Sequence, residues 1–195
     1  SNTVLFRNKA SQGNPDENPA DAEAGAFANK VLEYNPAPSQ YMNTSYTAYE
    51  EGFTGIQVLA RATELLQDHT TCLFTLGGFG GNITVGFDHT IPNVPGEYDF
   101  KIYGNAYYDM YGTLLDKPGG NSEPGIVLVS KDTNGNGLPD DEWYELAGSE
   151  YNSPATIRNY EITYYRPTPA DGDVKWKDNQ GKEGSVSYTH LTLPT

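Results

Sequence analysis

The clearest chemistry in the sequence belongs to residues 132–142, which read DTNGNGLPDDE. Oxygen-bearing side chains occupy the first, third, fifth and ninth positions of this stretch, and glycine occupies the sixth. Calcium takes about six to eight oxygen ligands, and the spacing D-x-[DN]-x-[DN]-G supplies them from one short loop because the glycine allows a sharp turn. The pattern predicts a structural calcium site. The candidate ligands are Asp132, Asn134, Asn136, Leu138, Asp140, Asp141 and Glu142.

The match to an EF-hand is incomplete, and a second interpretation stays open. The twelfth residue counted from Asp132 is Trp143, directly after the stretch, where an EF-hand has a bidentate glutamate. The flanking residues have the patterns of strands rather than helices, so Asp140, Asp141 or Glu142 would supply the late carboxylate. In the alternative interpretation the stretch is a hairpin turn, whose Asn and Asp side chains bond to their own backbone without a metal.

A second group of residues suited to binding lies on a long predicted loop, residues 105–124. Tyr107, Tyr108 and Tyr111 fall on this loop. A tyrosine ring offers flat apolar area with a polar tip, which suits sugars or a large planar cofactor such as a corrinoid. The three tyrosines are therefore the predicted ligand-binding residues. Ordinary packing of the rings over a sheet edge is the alternative.

Catalytic chemistry has less support in the sequence. Glycoside hydrolysis uses two carboxylates across a cleft, and Glu123 and the acids at 140–142 are the candidates. Clustered carboxylates beside Asn-Gly steps are, however, more typical of a calcium loop. The sequence has no G-x-S-x-G motif, and neither His69 nor His89 lies in an H-E-x-x-H motif, so the motifs of serine hydrolases and zinc proteases are missing. We therefore predict that the protein is not an enzyme.

The rest of the sequence indicates which elements position these residues. Apolar residues at helical spacing predict one helix from about residue 54 to residue 68, with Thr54 as its N-cap. Short apolar or alternating segments bounded by Gly, Pro, Asn and Asp predict strands. These segments are residues 31–38, 72–76, 83–87, 98–104, 126–130, 142–147 and 158–166. The predicted fold class is mainly β, an antiparallel β-sandwich or jelly roll with one peripheral helix.

The sequence divides into three predicted parts. Residues 1–30 are polar with little apolar periodicity and are interpreted as a linker or flexible arm. Residues 31–185 form the predicted jelly-roll-like domain. Residues 186–195, VSYTHLTLPT, resemble a translated sequencing adapter and are interpreted as an artifact, with a genuine terminal strand as the alternative. We therefore expect the domain to be incomplete at its C-terminal end.

Charge and composition argue against several functions. The chain has 26 acidic and 12 basic residues and a net charge of -14, which repels phosphate backbones, so nucleic-acid binding is not expected. No segment is apolar for long enough to span a bilayer. The glycines at 77–81 lack the spacing of a phosphate-binding loop. The single cysteine, Cys72, lies in an apolar run and is interpreted as a buried small hydrophobe.

Several motifs carry a resemblance to a known family. They are LGGFGG at 76–81, GFDHTI at 86–91, GNA at 104–106, SEPG at 122–125, the stretch 132–148, and ITYYRP at 162–167. Over residues 34–184 the chain resembles a family of cell-surface lipoproteins from gut bacteroidetes, some of which carry PKD-like domains. The order of its turns and strands is also similar to that of galactose-binding-like jelly rolls. The resemblance implies secretion and display at the outer membrane.

These observations favour a surface-displayed, calcium-stabilised module that binds a ligand. The resemblance implies capture of a glycan or a cobalamin-type nutrient, because some lipoproteins of this kind belong to such uptake systems, and an outer-membrane transporter is then an expected partner. The alternative is a structural spacer that holds other domains away from the cell surface. A spacer requires no ligand and no binding face.

Overall fold

The computed structural model describes residues 2–8, 27–39, 48–50, 52–67, 73–108, 119–121, 124–168 and 172–186. Ten strands and one helix lie within these residues. They are β1 Asn2–Asn8, β2 Lys30–Asn35, α1 Gly55–Gln67, β3 Asn82–Gly86, β4 Tyr107–Tyr108, β5 Gly120–Asn121, β6 Gly125–Lys131, β7 Trp143–Glu145, β8 Ile162–Tyr165, β9 Val174–Asp178 and β10 Glu183–Val186. This content confirms the predicted mainly-β class with one helix.

The described strands form three sheets. The largest has the strand order β2-β3-β1-β6-β7. Within it β1 runs parallel to both β3 and β6, whereas the edge strands β2 and β7 pair antiparallel with their neighbours. The largest sheet is therefore mixed, and the prediction of a wholly antiparallel arrangement is wrong at β1. Strands β8, β9 and β10 form an antiparallel sheet, and β4 and β5 form a two-stranded ribbon.

Strand β1 corrects the predicted linker over residues 1–30. It lies between β3 and β6, with Val4 opposite both Ile83 and Val127. The sequence signal is the run Val-Leu-Phe at residues 4–6, which is β-prone but too short for a periodicity search to separate from its polar surroundings. Residues 9–26 of the predicted linker and 187–195 of the predicted adapter lie outside the described residues.

The hydrophobic core lies where α1 packs against β2 and β3. Its buried members are Val31, Tyr34, Ala48, Val58, Ala62, Leu76, Ile83 and Val85. The Thr63 hydroxyl accepts a hydrogen bond from the Val31 N–H at 3.1 Å, which ties the helix to β2. At the start of the helix, Thr54 Oγ1 accepts from the Gln57 N–H at 3.4 Å, and Gln57 Oε1 accepts from the Thr54 N–H at 2.9 Å. This reciprocal pair is a capping box, and it confirms the predicted N-cap.

Two predicted strands are not found among the described residues. The described part of residues 72–76 forms no ladder, and the Leu76 carbonyl group instead accepts a single hydrogen bond from the Ala37 N–H at 2.9 Å. Residues 98–104 pair with no strand of the described part of the chain, and the Tyr98 and Tyr103 side chains are exposed. A strand exists only where a neighbour supplies hydrogen bonds, so alternation along the sequence was misleading at these two places.

The glycines at 77–81 allow two backbone segments to approach closely. A Cβ atom on Gly77 would overlap the carbonyl oxygen of Ala37, and one on Gly81 would overlap that of Leu76. Gly77 also has a φ of +73°, which residues with side chains rarely adopt. The hydrogen bond between Ala37 and Leu76 therefore depends on glycine at both positions. Residues 78–81 form a turn, in which the Gly81 N–H donates to the Gly78 carbonyl group at 3.3 Å.

The glycine-rich turn at residues 77–81 also contacts the three-stranded sheet. The Tyr164 hydroxyl donates to the carbonyl oxygen of Phe79 at 3.1 Å. The rings of Phe79 and Tyr160 meet edge to face, with 4.6 Å between their centroids. Phe79 thus connects the largest sheet to β8 and to Tyr160, which precedes β8.

Candidate metal centre

The candidate calcium loop, residues 132–142, connects β6 to β7. These strands pair antiparallel, with Ser130 opposite Trp143 and Leu128 opposite Glu145. One further bond, from the Leu146 N–H to the Val127 carbonyl group at 2.9 Å, extends the contact past the end of β7. The flanks of the loop are therefore strands, as the sequence predicts, and they hold the two ends of the loop close together.

Asp132 anchors the candidate calcium loop from within. Its side chain is buried, with 3% of its surface exposed. Oδ1 accepts the Gly135 N–H at 2.8 Å, and Oδ2 accepts the Gly137 N–H at 2.9 Å. Both glycines have a positive φ, 72° and 75°, so the chain can direct two N–H groups towards one carboxylate. The glycine at loop position six therefore permits the sharp turn that the motif requires.

Three of the predicted ligands meet on the exposed side of the loop. Asn134 Nδ2 lies 3.4 Å from Asp140 Oδ1, and Asn136 Nδ2 lies 2.9 Å from Asp140 Oδ2. Each asparagine also accepts a backbone hydrogen bond at its Oδ1, from the Asn136 N–H at 2.9 Å and from the Leu138 N–H at 2.7 Å. Loop positions three, five and nine are thus in direct contact around the Asp140 carboxylate.

The other two candidates for the late carboxylate make different contacts. Asp141 accepts a hydrogen bond from the Thr133 hydroxyl group across the loop. Glu142 accepts one from the Tyr144 hydroxyl at 2.6 Å. That hydrogen bond, with the charge of Glu142 and partial burial, raises the pKa of Tyr144. Asp140 is thus an acid of this group that contacts two other predicted ligands, Asn134 and Asn136.

The donor atoms of the candidate calcium loop suit a hard cation. Residues 132–142 include four acidic residues and no basic ones, and the available donors are carboxylate, amide and carbonyl oxygens, which calcium prefers. Among the described residues, no group of three or more His, Cys, Asp or Glu side chains is arranged to hold a metal. A calcium site would therefore depend on the asparagine amides and a backbone carbonyl group. The observed hydrogen bonds also suit a metal-free hairpin turn.

The predicted tyrosine site is only partly described. Tyr107 and Tyr108 form β4, which pairs with Gly120 and Asn121 of β5, so the base of the predicted loop at 105–124 is a two-stranded ribbon. The Tyr108 side chain is 85% exposed. Tyr111 and the side chain of Tyr107 lie outside the described residues. The structure thus gives one exposed tyrosine on the predicted binding segment.

The residues considered for catalysis are only partly described. Glu123, His69 and Cys72 lie outside the described residues. His89 Nδ1 lies 2.6 Å from the carboxylate of the adjacent Asp88.

Two buried polar residues were missed by sequence reasoning. The Ser130 side chain, at the end of β6, is 4% exposed, and its hydroxyl has no hydrogen-bond partner among the described residues. Asp178 accepts hydrogen bonds from Tyr160 at 2.9 Å, Gln180 at 3.0 Å and Lys182 at 2.7 Å. Burial alone would raise the pKa of Asp178, but these hydrogen bonds and the Lys182 charge outweigh burial and lower the pKa. The turn sequence Asp-Asn-Gln-Gly was the available signal for Asp178.

No protein-family model matches the chain, and no curated protein matches it. In the part of the chain that the structure describes, no helix has the length and apolar character of a membrane-spanning segment.

Proposed function

We propose that this protein is a calcium-stabilised, non-catalytic module that binds a small-molecule or glycan ligand at the cell surface. The main observation behind the proposal is that the side chains of Asn134 and Asn136 both contact the Asp140 carboxylate. The turn that places them is stabilised by a backbone hydrogen bond to Asp132. The motif places Asn134, Asn136 and Asp140 at loop positions three, five and nine, which supply ligands in calcium loops. The cell-surface location and the class of ligand come from the family resemblance of the sequence motifs.

A bound calcium ion would neutralise the acidic charge of the candidate calcium loop. The Asp140 carboxylate accepts hydrogen bonds from the neutral amide groups of Asn134 and Asn136, and a neutral donor offsets a negative charge less well than a divalent cation does. The residues that would hold the ion are Asp132, Asn134, Asn136 and Asp140, with a carbonyl group near Leu138. Calcium would supply no reaction chemistry there; it would hold the β6 and β7 ends of the loop together.

Exposed aromatic residues support the binding function. Tyr108 lies on the predicted binding segment, and Tyr98 and Tyr103 are 102% and 81% exposed on the segment before it. Tyrosine rings stack on flat apolar surfaces and donate hydrogen bonds from their hydroxyl groups, so such rings suit a sugar or corrinoid ligand. An outer-membrane transporter is the partner that would receive the ligand.

Ligand titration tests this function. We expect binding on a glycan array or in a cobalamin titration, and we expect Tyr108→Ala to weaken that binding about tenfold through loss of ring contact. Tyr165→Ala is the matched control, because Tyr165 is 50% exposed but belongs to β8 in another sheet. Absence of binding to every glycan and to cobalamin would contradict the ligand-binding proposal and support the structural spacer.

A further inference from the structure

Both Asn-Gly pairs of the chain, Asn134-Gly135 and Asn136-Gly137, lie in the candidate calcium loop. Glycine has no side chain to shield its backbone nitrogen, so an asparagine followed by glycine loses its side-chain amide more readily than other asparagines. Both asparagines are exposed to solvent. They are therefore open to deamidation unless the fold prevents it.

Deamidation of Asn134 begins when the backbone nitrogen of Gly135 loses its proton and attacks Cγ of Asn134. A bond forms between that nitrogen and Cγ, and the bond from Cγ to Nδ2 breaks. Nδ2 leaves as ammonia, with the proton that the glycine nitrogen gave up, and a succinimide ring remains. One water molecule then opens the ring to give aspartate or its β-linked isomer. The same steps apply to Asn136 and Gly137.

In the folded loop each attacking nitrogen is held by Asp132. The Gly135 N–H donates to one oxygen of its carboxylate at 2.8 Å, and the Gly137 N–H donates to the other at 2.9 Å. Removing a proton from a nitrogen beside this buried carboxylate would place two negative charges next to each other, which is unfavourable. The first step of deamidation is therefore opposed at both pairs by the same residue.

The side-chain amide groups that would leave as ammonia are also hydrogen-bonded in the folded loop. Asn134 Nδ2 and Asn136 Nδ2 both donate to Asp140, while their Oδ1 atoms accept backbone N–H groups two residues further along. Attack requires each asparagine side chain to turn towards the next nitrogen in the chain. That movement would break these hydrogen bonds, so the folded loop opposes the reaction at both reacting groups.

We propose that Asn134 and Asn136 form a conditional modification site, which Asp132 keeps unreactive in the folded loop and which deamidates when the loop opens. Local opening of a loop costs much less free energy than global unfolding of the protein. The extent of deamidation would therefore measure the fraction of time that this loop is open. Each reaction adds one negative charge, and the aspartate product keeps the D-x-D-x-D-G spacing of a calcium loop. The inference does not rest on bound calcium, because the hydrogen bonds exist in the protein alone.

Peptide mapping by mass spectrometry tests the proposal on the full chain, incubated at mildly alkaline pH with a chelator. A synthetic peptide of residues 130–142 gives the rate for an open loop. We expect both asparagines of the protein to react at least about tenfold more slowly than those of the peptide, the factor that a hydrogen bond to a charged group implies. Asp132→Asn is expected to raise both rates about tenfold, while the hydrogen bonds of the asparagine side chains to Asp140 remain. Glu145→Gln is the matched control and is expected to keep the wild-type rates, because it removes a carboxylate of β7 outside the candidate calcium loop.

Hydrogen exchange in the wild-type protein is a second test of the proposal, which can be used if the Asp132→Asn variant does not fold. In increasing urea, exchange at the Gly135 and Gly137 N–H groups and deamidation should rise by the same factor, because both report loop opening. Three results would overturn the proposal: equal or faster reaction in the protein than in the peptide, wild-type rates in a folded Asp132→Asn variant, or exchange that rises without deamidation.

Discussion

Replacing Gly81 by alanine is expected to cost about 4 kcal/mol of folding free energy, which is exceptional for one methyl group. The new Cβ would overlap the backbone carbonyl oxygen of Leu76 and would also lie 2.9 Å from the Ala37 nitrogen. Neither neighbour is the flexible end of a side chain, so the two backbone segments must separate and lose the hydrogen bond between Leu76 and Ala37. The total free energy of unfolding of a small domain is about 5–15 kcal/mol. The Gly81→Ala variant should therefore be close to unfolding.

Gly77→Ala is expected to have an effect of similar size, and two other glycines provide matched controls. Gly80 has a φ of +90° and open space at its Cβ position, so Gly80→Ala measures backbone strain without overlap and should cost about 1–2 kcal/mol. Gly148 has open space and no positive φ, so Gly148→Ala should change stability by less than about 0.5 kcal/mol. Urea denaturation of the four variants measures these differences. Equal stability of Gly77→Ala and Gly80→Ala would show that the close approach is not required.

Calcium at one hundred times its dissociation constant is expected to stabilise the protein by about 2.7 kcal/mol, because it binds only the folded loop. For a chain of this size that gain should raise the melting temperature by about 5–10 °C. The measurement is thermal unfolding in calcium and in chelator, and magnesium at the same concentration serves as the control for ionic strength. Magnesium should have a smaller effect because it requires a stricter octahedral geometry.

Two carboxylate variants separate a specific site from general charge screening. Asp140→Ala removes the acid that contacts both asparagines, and we expect its melting temperature to be the same in calcium and in chelator. Glu145→Ala removes an acid of β7 outside the candidate calcium loop and should keep the full response. Equal responses of the two variants would mean that calcium acts on the overall charge of -14 rather than at this loop.

The sequence predicts well those features whose signals are local. Helix α1 and its cap at Thr54 follow from helical spacing and one side chain, and the turn at 132–142 follows from glycine and asparagine positions. The placement of β6 and β7 around that turn follows from apolar runs on either side of it. In each case the residues that decide the structure lie within a few positions of one another.

Features that depend on distant partners were predicted poorly. Strand β1 owes its place to β3 and β6, about 80 and 120 residues away along the chain. Residues 98–104 alternate well but pair with no strand among the residues that the structure describes. The contacts of the loop acids are local but were not predicted either: Asp140 contacts Asn134 and Asn136, whereas the Glu142 carboxylate accepts a hydrogen bond from Tyr144. Spacing alone could not distinguish these neighbouring acids.

Terbium luminescence tests most directly whether the candidate calcium loop binds a cation. Terbium has the oxygen preference of calcium and emits when a nearby aromatic ring transfers energy to it, and Trp143 follows the loop directly. We expect emission that saturates at one equivalent, decreases when calcium is added, and is lost in Asp140→Ala but kept in Glu145→Ala. If the emission does not saturate, or if Asp140→Ala retains it in full, residues 132–142 form a hairpin turn without a metal.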